Sequence, residues 1–433
     1  MKAPWSLILL AALGPLAALA QTPEQAGRAL ALSDLERMAE ANNPTLKQAQ
    51  ARIAAARGKL AQAGLYPNPV LGYMASEVSG GPVIRGGEHG FFVEQRIVLG
   101  GKLARGREAS AQALAGAEAE AEGERLRVLN TVRLLYYQAL AARRRVEVRE
   151  QLAGVADEAV RTSRALYNVG ASDRPDNLEI EIEAEQARLA EAAARNDELR
   201  IRQELAAAVG ALDLGPGRLA GELEDGIPTL EADRMLEQIL RESPSLKAAR
   251  AGAAEARAEV EVARSRKVPD LILRGGVRYN RELLEAGRPV GAEGFADVGM
   301  VIPIFDRNQG NVAAALAGRS FAEEEVRRVE LRVRARFAAW FERYKTARLI
   351  AERYRQEILP RAQAAYELYA ARYREMAAAY PQVLIARRTL FQSSIDYVAA
   401  LENLWRAVVP LQGYLLLEGE GSGASRQFIG DDR

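Results

Sequence analysis

The chain has 433 residues, with 59 basic and 58 acidic side chains, a net charge of +1, one histidine and no cysteine. This balance excludes the strong overall field with which basic proteins attract nucleic acid. The lack of cysteine excludes disulfides and, with a single histidine, leaves few transition-metal ligands, so we expect no metal site and no cofactor. Helix packing and oligomerisation must therefore supply the stability.

The first residues, 1–20, have the features of a secretory signal peptide. Lys2 precedes an apolar run at 7–19, and a small-x-small cleavage site follows at 18–20. A retained membrane anchor is the alternative, which the helix-breaking residues at 14–15 disfavour. No cysteine follows the cleavage site. We therefore expect an exported protein that is not a lipoprotein at its N-terminus.

A first series of elements comes after the signal. Ser33 is a predicted helix N-cap, with Glu36 completing a capping box. Asn-Pro-Thr-Leu at 43–46 begins a second helix, which ends before the two prolines at 64–69. The next predicted elements are strands at 70–79 and 89–99, a long helix at 102–169 and a returning helix at 175–209.

The long helix at 102–169 dominates this half of the chain. It contains no proline, and apolar residues such as Leu129, Val132, Tyr136 and Leu140 recur at helical spacing. Its length predicts a span of about 100 Å at 1.5 Å per residue. Helices of compact domains average about 11–12 residues. The sequence therefore indicates an elongated protein rather than an enzyme built around a pocket.

The second half of the chain repeats the first. Ser-Pro-Ser-Leu at 243–246 matches the motif at 43–46, and Pro269 stands ahead of a predicted strand as Pro69 does. We therefore predict two copies of one unit: helix, strand pair, long helix, turn and returning helix. The expected divisions are the signal at 1–20, repeat 1 at 21–213 (strand pair about 70–99, helical hairpin about 102–209), a connector or equatorial region at 214–240, repeat 2 at 241–417 (strand pair about 270–305, hairpin about 310–413) and a flexible tail at 418–433.

The predicted strands alternate between apolar and polar residues. In 271–280, Leu271, Leu273 and Val277 alternate with polar positions, and 295–304 follows the same pattern, whereas 70–79 alternates poorly. Such strands suit either half-buried hairpins of a soluble protein or a membrane barrel with one face in lipid. Beyond the signal, no apolar run reaches the about 18 residues of a spanning helix. Four strands cannot close a barrel alone, so several copies would have to share one.

Several motifs resemble a known family. They are Gly-Leu-Tyr-Pro-Asn-Pro at 64–69, Glu-Gln-Arg-Ile-Val-Leu-Gly-Gly-Lys at 94–102, Ile-Pro-Ile-Phe-Asp-Arg-Asn-Gln-Gly at 302–310 and the turn at 166–170. On these residues, over nearly the whole mature chain, the sequence resembles the TolC-type outer-membrane efflux channels. It is most similar to the branch that serves heavy-metal cation pumps (CzcC-like).

The resemblance implies a mixed α/β membrane channel. Its expected form is a homotrimer sharing a twelve-stranded outer-membrane β-barrel, four strands per chain, which continues as a long α-helical barrel in the periplasm. Its implied partners are a periplasmic adaptor protein, a proton-driven inner-membrane pump of the resistance-nodulation-division type and outer-membrane lipid, with no nucleic acid.

Family members often carry acidic residues just after the turn that joins the two helices of the second hairpin, where these residues line a constricted aperture. The matching positions here are Gln382 and Ile385, so that acidic ring is missing from this half. Asp173, Asp176 and Glu179, after the first turn, are the alternative aperture candidates. They are equally well explained as helix-start acids that complement the helix dipole.

Two further groups of site candidates follow from the same resemblance. Met376 replaces the glycine expected in the second turn, which makes that turn less permissive. The adaptor-contact candidates at the helical turns are Tyr167, Asn168, Val169, Gly170, Ala171, Ser172, Tyr373, Met376, Ala377 and Ala378. The strand-to-helix junction candidates are Gly100, Gly101, Asn308 and Gly310.

The function expected from these features is passive conduction. The duct would carry substrates, by the resemblance divalent heavy-metal cations, from the pump and adaptor to the exterior. The same duct could instead serve multidrug efflux or type I protein secretion. A periplasmic adaptor and a coiled-coil structural protein are the other classes, disfavoured by two hairpins and two strand pairs. No catalytic motif is present, so we expect no enzyme.

Overall fold

A computed structural model of the chain describes residues 29–78, 87–168, 173–215, 217–283, 287–375 and 380–417. The predicted signal at 1–20 and tail at 418–433 lie outside these residues. So do seven of the turn candidates: Val169, Gly170, Ala171, Ser172, Met376, Ala377 and Ala378.

The first half folds in the predicted order. Its elements are α1 (Leu32–Asn42), α2 (Pro44–Ala63), β1 (Val70–Ser76), β2 (Glu88–Ile97), α3 (Lys102–Asn168) and α4 (Arg174–Ala208). The predicted start of α2 is confirmed, and the Asn43 side chain caps the helix by accepting a hydrogen bond from the Thr45 N–H at 2.8 Å. The cap predicted at Ser33 is wrong. The N-cap of α1 is Ala31, whose N–H donates to the Asp34 carboxylate at 3.2 Å.

The second half repeats this order. Its elements are α5 (Ala232–Glu242), α6 (Pro244–Ser265), β3 (Leu271–Leu283), β4 (Pro289–Met300), α7 (Gln309–Arg353), a π-helical turn (Tyr354–Ile358), α8 (Leu359–Arg374) and α9 (Tyr380–Gln412). The strand predicted at 295–304 is confirmed, but its bounds are wrong, because β4 runs from Pro289 to Met300. Pro303 cannot donate to a strand ladder, which accounts for the early end.

The π-helical turn lies directly before Pro360, at the start of α8. In a regular α-helix the proline ring would clash with the carbonyl four residues earlier. The Leu359 N–H instead donates to the Tyr354 carbonyl, five residues back, which widens the turn. The second long helix thus continues through Pro360 as α7, the π turn and α8, a detail that the sequence pattern did not predict.

The four strands form one antiparallel sheet in the order β1-β2-β3-β4. The central β2–β3 pair joins the two repeats, with Phe91 opposite Val277 and Glu94 opposite Arg274. Among the described residues, β1 and β4 each pair on one side only. The sheet therefore has two open edges.

The helices form an elongated layer around α3. Helix α3 contacts α2, α4, α6 and α9, and α7 contacts α6 and α9. The predicted apolar stripe of α3 is confirmed, since Leu129, Val132, Tyr136 and Leu140 are buried. Among the described residues, no helix has the length and apolarity needed to span a membrane.

The main core lies where the connector wraps the middle of the long helices. The indole N–H of Trp405 donates to the Leu223 carbonyl at 2.8 Å, and the Tyr344 hydroxyl donates to the Pro228 carbonyl at 3.0 Å. The Trp405 ring also stacks on Tyr137 at 3.6 Å between centroids. Burial raises the pKa of the Tyr137 hydroxyl to about 12, reinforced by the nearby Tyr136. The two hydrogen bonds fix the connector to the second hairpin, and the Tyr137–Trp405 stack joins that hairpin to α3.

Candidate channel surfaces

One face of the sheet is apolar and exposed. In the register, Tyr73, Phe91 and Val277 lie side by side across three strands. Six other large apolar side chains of this face are also exposed: Leu71, Val93, Leu273, Tyr279, Val298 and Met300. Soluble monomeric proteins rarely expose an apolar patch that is this continuous. This face is therefore a candidate for contact with lipid.

His89 lies on the same apolar face. Its Nδ1 is 2.6 Å from the Tyr73 hydroxyl, and the two rings stack at 6.2 Å between centroids. Within the described parts of the chain, no group of three or more histidine or acidic side chains could hold a metal ion. The histidine is therefore engaged with a tyrosine of the neighbouring strand.

The opposite face of the sheet is polar. Arg278 on β3 donates to Glu88 on β2 at 2.6 Å and to Glu293 on β4 at 3.0 Å. In the register, Arg274 lies between Glu94 and Asp297 on the same face. The sheet thus has the two unlike faces required of a wall between lipid and an aqueous lumen.

Two glycines make room for aromatic rings on the polar face. A Cβ added to Gly72 would lie 2.3 Å from Cζ of Phe92, and one at Gly276 would lie 2.9 Å from the Phe295 ring. The rings therefore cover backbone that only glycine leaves free. The Arg274 guanidinium lies over the Phe92 ring, 3.9 Å from its centroid.

The strand-to-helix junctions use left-handed backbone. Gly100 and Gly101 have φ of 70° and 67°, and Val268 packs against Gly100 so closely that a Cβ would lie 2.8 Å from it. In the second repeat Asn308 has φ of 62°, and its side chain donates to the Ala263 carbonyl at 2.7 Å. Asparagine tolerates this conformation better than most residues. Gly310 lies in the first turn of α7, with no atom near its Cβ position.

A salt bridge joins the two repeats at the first junction. Nζ of Lys102 lies 2.6 Å from Oδ1 of Asp270, which also accepts from the Leu99 N–H at 3.2 Å. Burial raises the pKa of the Asp270 carboxyl, but the hydrogen bonds from Lys102 and Leu99 outweigh it, and the net shift is downward. In the sequence, Lys102 stands out only as part of the motif at 94–102, and Asp270 belongs to none of the motifs. Its place directly before β3 was the available signal.

The acidic aperture candidates lie at the start of α4. Asp173 is the N-cap, but its side chain makes no capping hydrogen bond. Asp176 and Glu179 follow in the first two turns, and all three side chains are exposed. By contrast, Glu181 pairs with Arg164 at 2.7 Å. The three candidates are therefore available to solvent.

Gln382 and Ile385 lie near the start of α9, exposed on its surface. Together with Ala362 and Tyr369 of α8 they line a shallow groove of about 290 Å³. The residues that line this groove include no aspartate or glutamate. Tyr167, Asn168 and Tyr373, the described turn candidates, are also exposed at the ends of α3 and α8.

The α3–α4 hairpin and the α8–α9 hairpin have their turns at the same end of the molecule. Ala156 of α3, Ile180 and Glu183 of α4, and Leu384 and Arg388 of α9 line one groove. Glu179 and Gln382, next to these residues in sequence, consequently lie at the same level of the helical layer. The structure therefore brings the two sets of aperture candidates to one end, opposite the sheet.

Comparison with known proteins agrees with this architecture. The family described as "Outer membrane efflux protein" matches residues 35–211 and 235–415. The cobalt-zinc-cadmium resistance protein CzcC of Cupriavidus metallidurans is 26% identical over 400 residues, 91% of each chain. The nickel-cobalt-cadmium resistance protein NccC of Alcaligenes xylosoxydans is 26% identical over 315 residues, 72% of this chain and 69% of that protein.

A solved structure has the same fold. The Campylobacter jejuni CmeC outer membrane channel superimposes with a TM-score of 0.72 at 18% identity, covering 90% of this chain and 87% of that one. The predicted fold class is therefore confirmed: four strands per chain continue into long helices, as in channels of this type.

Proposed function

The chain belongs to the outer membrane efflux protein family, and we propose that it forms the outer-membrane duct of a tripartite efflux system. One observation carries this proposal. The sheet has an exposed apolar face and a polar face, and it continues into a helix that spans about 100 Å at 1.5 Å per residue. A lipid-facing wall joined to a long helical layer suits a passive conduit rather than an enzyme, whose pocket would need convergent polar groups.

Three copies of the chain would close the duct. The sheet is open at β1 and β4, and open edges are not tolerated in lipid. Helix α4 packs on α3 through Ile180, Ala184 and Ala187, yet its opposite side exposes Ile182 and Leu189. On the other flank of the layer, α7 and α8 expose Leu331, Leu349 and Leu368. Head-to-tail contact of these flanks would close a ring, and twelve strands from three chains satisfy the minimum of about eight for a membrane barrel.

The helical end of the duct would lie in the periplasm and meet the remaining components. We assign it a periplasmic adaptor and an inner-membrane pump of the resistance-nodulation-division type. Exposed Tyr167, Asn168 and Tyr373 at the ends of the long helices support this assignment. The signal at 1–20 would export the chain, and outer-membrane lipid would surround the sheet.

The proposed cargo is divalent heavy-metal cations. Two relatives bear names of cobalt, zinc, nickel and cadmium resistance proteins, and exposed Asp173, Asp176 and Glu179 would concentrate negative potential where copies meet around a ring. The chain would pass cations without tight coordination, since the described residues hold no cluster of metal ligands.

Deletion of the gene tests this proposal. We expect a larger loss of tolerance to zinc, cobalt or cadmium than to hydrophobic drugs, restored by the intact chain expressed from a plasmid. Unchanged metal tolerance with a clear loss of drug tolerance, in a strain without a second copy of the gene, would contradict the assigned cargo and indicate a multidrug duct.

A further inference from the structure

Arg274 occupies an unusual position on the polar face of the sheet. It is the direct cross-strand neighbour of Glu94 on one side and of Asp297 on the other. Such neighbours have Cβ atoms about 4.5–5.5 Å apart, well within reach of an ion pair. Yet no ion pair among the described residues joins Arg274 to either carboxylate, and its Nε is buried without a hydrogen-bond partner.

The Arg274 guanidinium contacts a phenylalanine ring instead of a carboxylate. The Arg274 guanidinium lies 3.9 Å from the centroid of Phe92 and 5.9 Å from that of Phe295. An arginine over the face of an aromatic ring at this distance is attracted by the ring electrons. Arg278, four residues further along the same strand, has no such ring and pairs with Glu88 and Glu293 instead.

The position of Phe92 is fixed by close packing. Its ring lies over Gly72 on β1, where even one added carbon would be 2.3 Å away. A ring held on the sheet in this way also holds the guanidinium close to the wall. The carboxylates of Glu94 and Asp297 are left without a described partner, and Asp297 is exposed.

We propose that Arg274, held by Phe92, is a determinant of charge selectivity in the outer part of the duct. Stacked on Phe92, it leaves Glu94 and Asp297 unpaired towards the lumen, so that each chain presents two carboxylates to passing ions. Exposed Arg96 lies on the same face, two residues from Glu94, so the stack decides whether the two carboxylates still give the wall a preference for hydrated cations over anions, at the end of the duct opposite the aperture. This inference rests on the proposed function, in which the polar face lines the lumen.

The test is the potassium-to-chloride permeability ratio, taken from the reversal potential of the intact purified oligomer in planar bilayers under a potassium chloride gradient. Phe92→Met conserves volume but removes the aromatic face, so Arg274 is released to pair with Glu94 or Asp297. We expect the ratio to fall about twofold or more, because freed positive charge neutralises the local potential. Arg274→Gln should change the ratio in the opposite direction.

Two further variants complete the design. Gly72→Ala adds a methyl group under the Phe92 ring and displaces it. The permeability ratio should then fall as it does for Phe92→Met. This variant provides an independent test if Phe92→Met fails to assemble. Phe91→Met makes the same change one residue away on the apolar face and should leave the ratio unchanged. A conducting oligomer whose ratio is unaffected by Phe92→Met, Gly72→Ala and Arg274→Gln would overturn the inference. Absence of any channel from the unmodified protein would instead count against the proposed function.

Discussion

Lys102 and Asp270 join the two halves of the chain at the point where the sheet meets the helices. Nζ of Lys102 lies 2.6 Å from Oδ1 of Asp270, and both side chains are mostly buried. Lys102 begins α3, whereas Asp270 stands directly before β3 in the other repeat. The contact therefore fixes the start of the long helix relative to the second strand pair.

We predict that Asp270→Asn destabilises the protein in a pH-dependent way. Removing the charge leaves Lys102 without its partner, which should cost about 1–3 kcal/mol at neutral pH. The pKa of Asp270 is lowered in the folded protein, so its stabilisation is complete above the unfolded pKa of about 3.9 and is lost as the pH falls through the lower folded pKa. Urea-unfolding midpoints at several pH values should show a difference between variant and wild type that is constant near neutrality and shrinks below about pH 4.

The matched control for this prediction is Glu118→Gln. Glu118 pairs with Arg57 at 3.2 Å, but the two side chains are 48% and 67% exposed, so the change should cost at most about 1 kcal/mol. Equal effects of both substitutions, or a difference for Asp270→Asn that persists at low pH, would show that the first junction depends on something other than the ionised carboxylate.

The second prediction concerns the flank of α4. Ile182 and Leu189 expose 59% and 70% of their surface on the side of the helix away from α3. Ile182→Asp or Leu189→Asp should weaken assembly strongly, because the charge would have to be buried against the next chain. The hairpin itself should keep its helical circular dichroism. Size-exclusion chromatography in detergent would measure the fraction of oligomer.

Leu212 provides the control for these substitutions. It is an exposed leucine in the loop directly after α4 rather than on the flank of the helical layer. Leu212→Asp should leave the oligomer intact. If the α4 variants assemble as well as Leu212→Asp does, this flank is not the surface that meets the neighbouring chain.

Much of the fold could be predicted from the sequence because its signals are local. The proline-free run and the apolar stripe through Val132 and Leu140 are sufficient for α3, and alternation is sufficient for most of β3. The end of β4 and the π turn before Pro360 could not be predicted. Each depends on how the surrounding backbone accommodates a proline, Pro303 in the first case and Pro360 in the second. Alternation continued past Met300 although strand pairing did not.

Sequence motifs named candidate site residues but not the contacts that hold them. Candidate acids such as Asp173 followed from the turn motif, and the structure leaves them exposed. The Arg274–Phe92 stack and the Lys102–Asp270 pair join residues far apart in the chain. No local pattern encodes such pairs, because they arise only once the strand register is fixed. The role of the acids stays a prediction.

The third prediction tests the acids at the start of α4. Replacing Asp173, Asp176 and Glu179 with Asn, Asn and Gln should lower the cation preference of single channels, because copies around a ring would lose negative potential. Assembly should be little affected, since all three side chains are exposed. The measurement is the reversal potential in a salt gradient. A triple variant with unchanged selectivity would mean that these carboxylates serve only the helix dipole.

The last prediction addresses the central claim, that several copies share one membrane wall. The observation behind it is a four-stranded sheet with an apolar exposed face and two open edges. Native mass spectrometry of the protein extracted from outer membranes, without boiling, measures the number of chains directly. We predict a complex of three chains that becomes monomeric on boiling in sodium dodecyl sulfate. A monomer recovered from the soluble periplasmic fraction would contradict it.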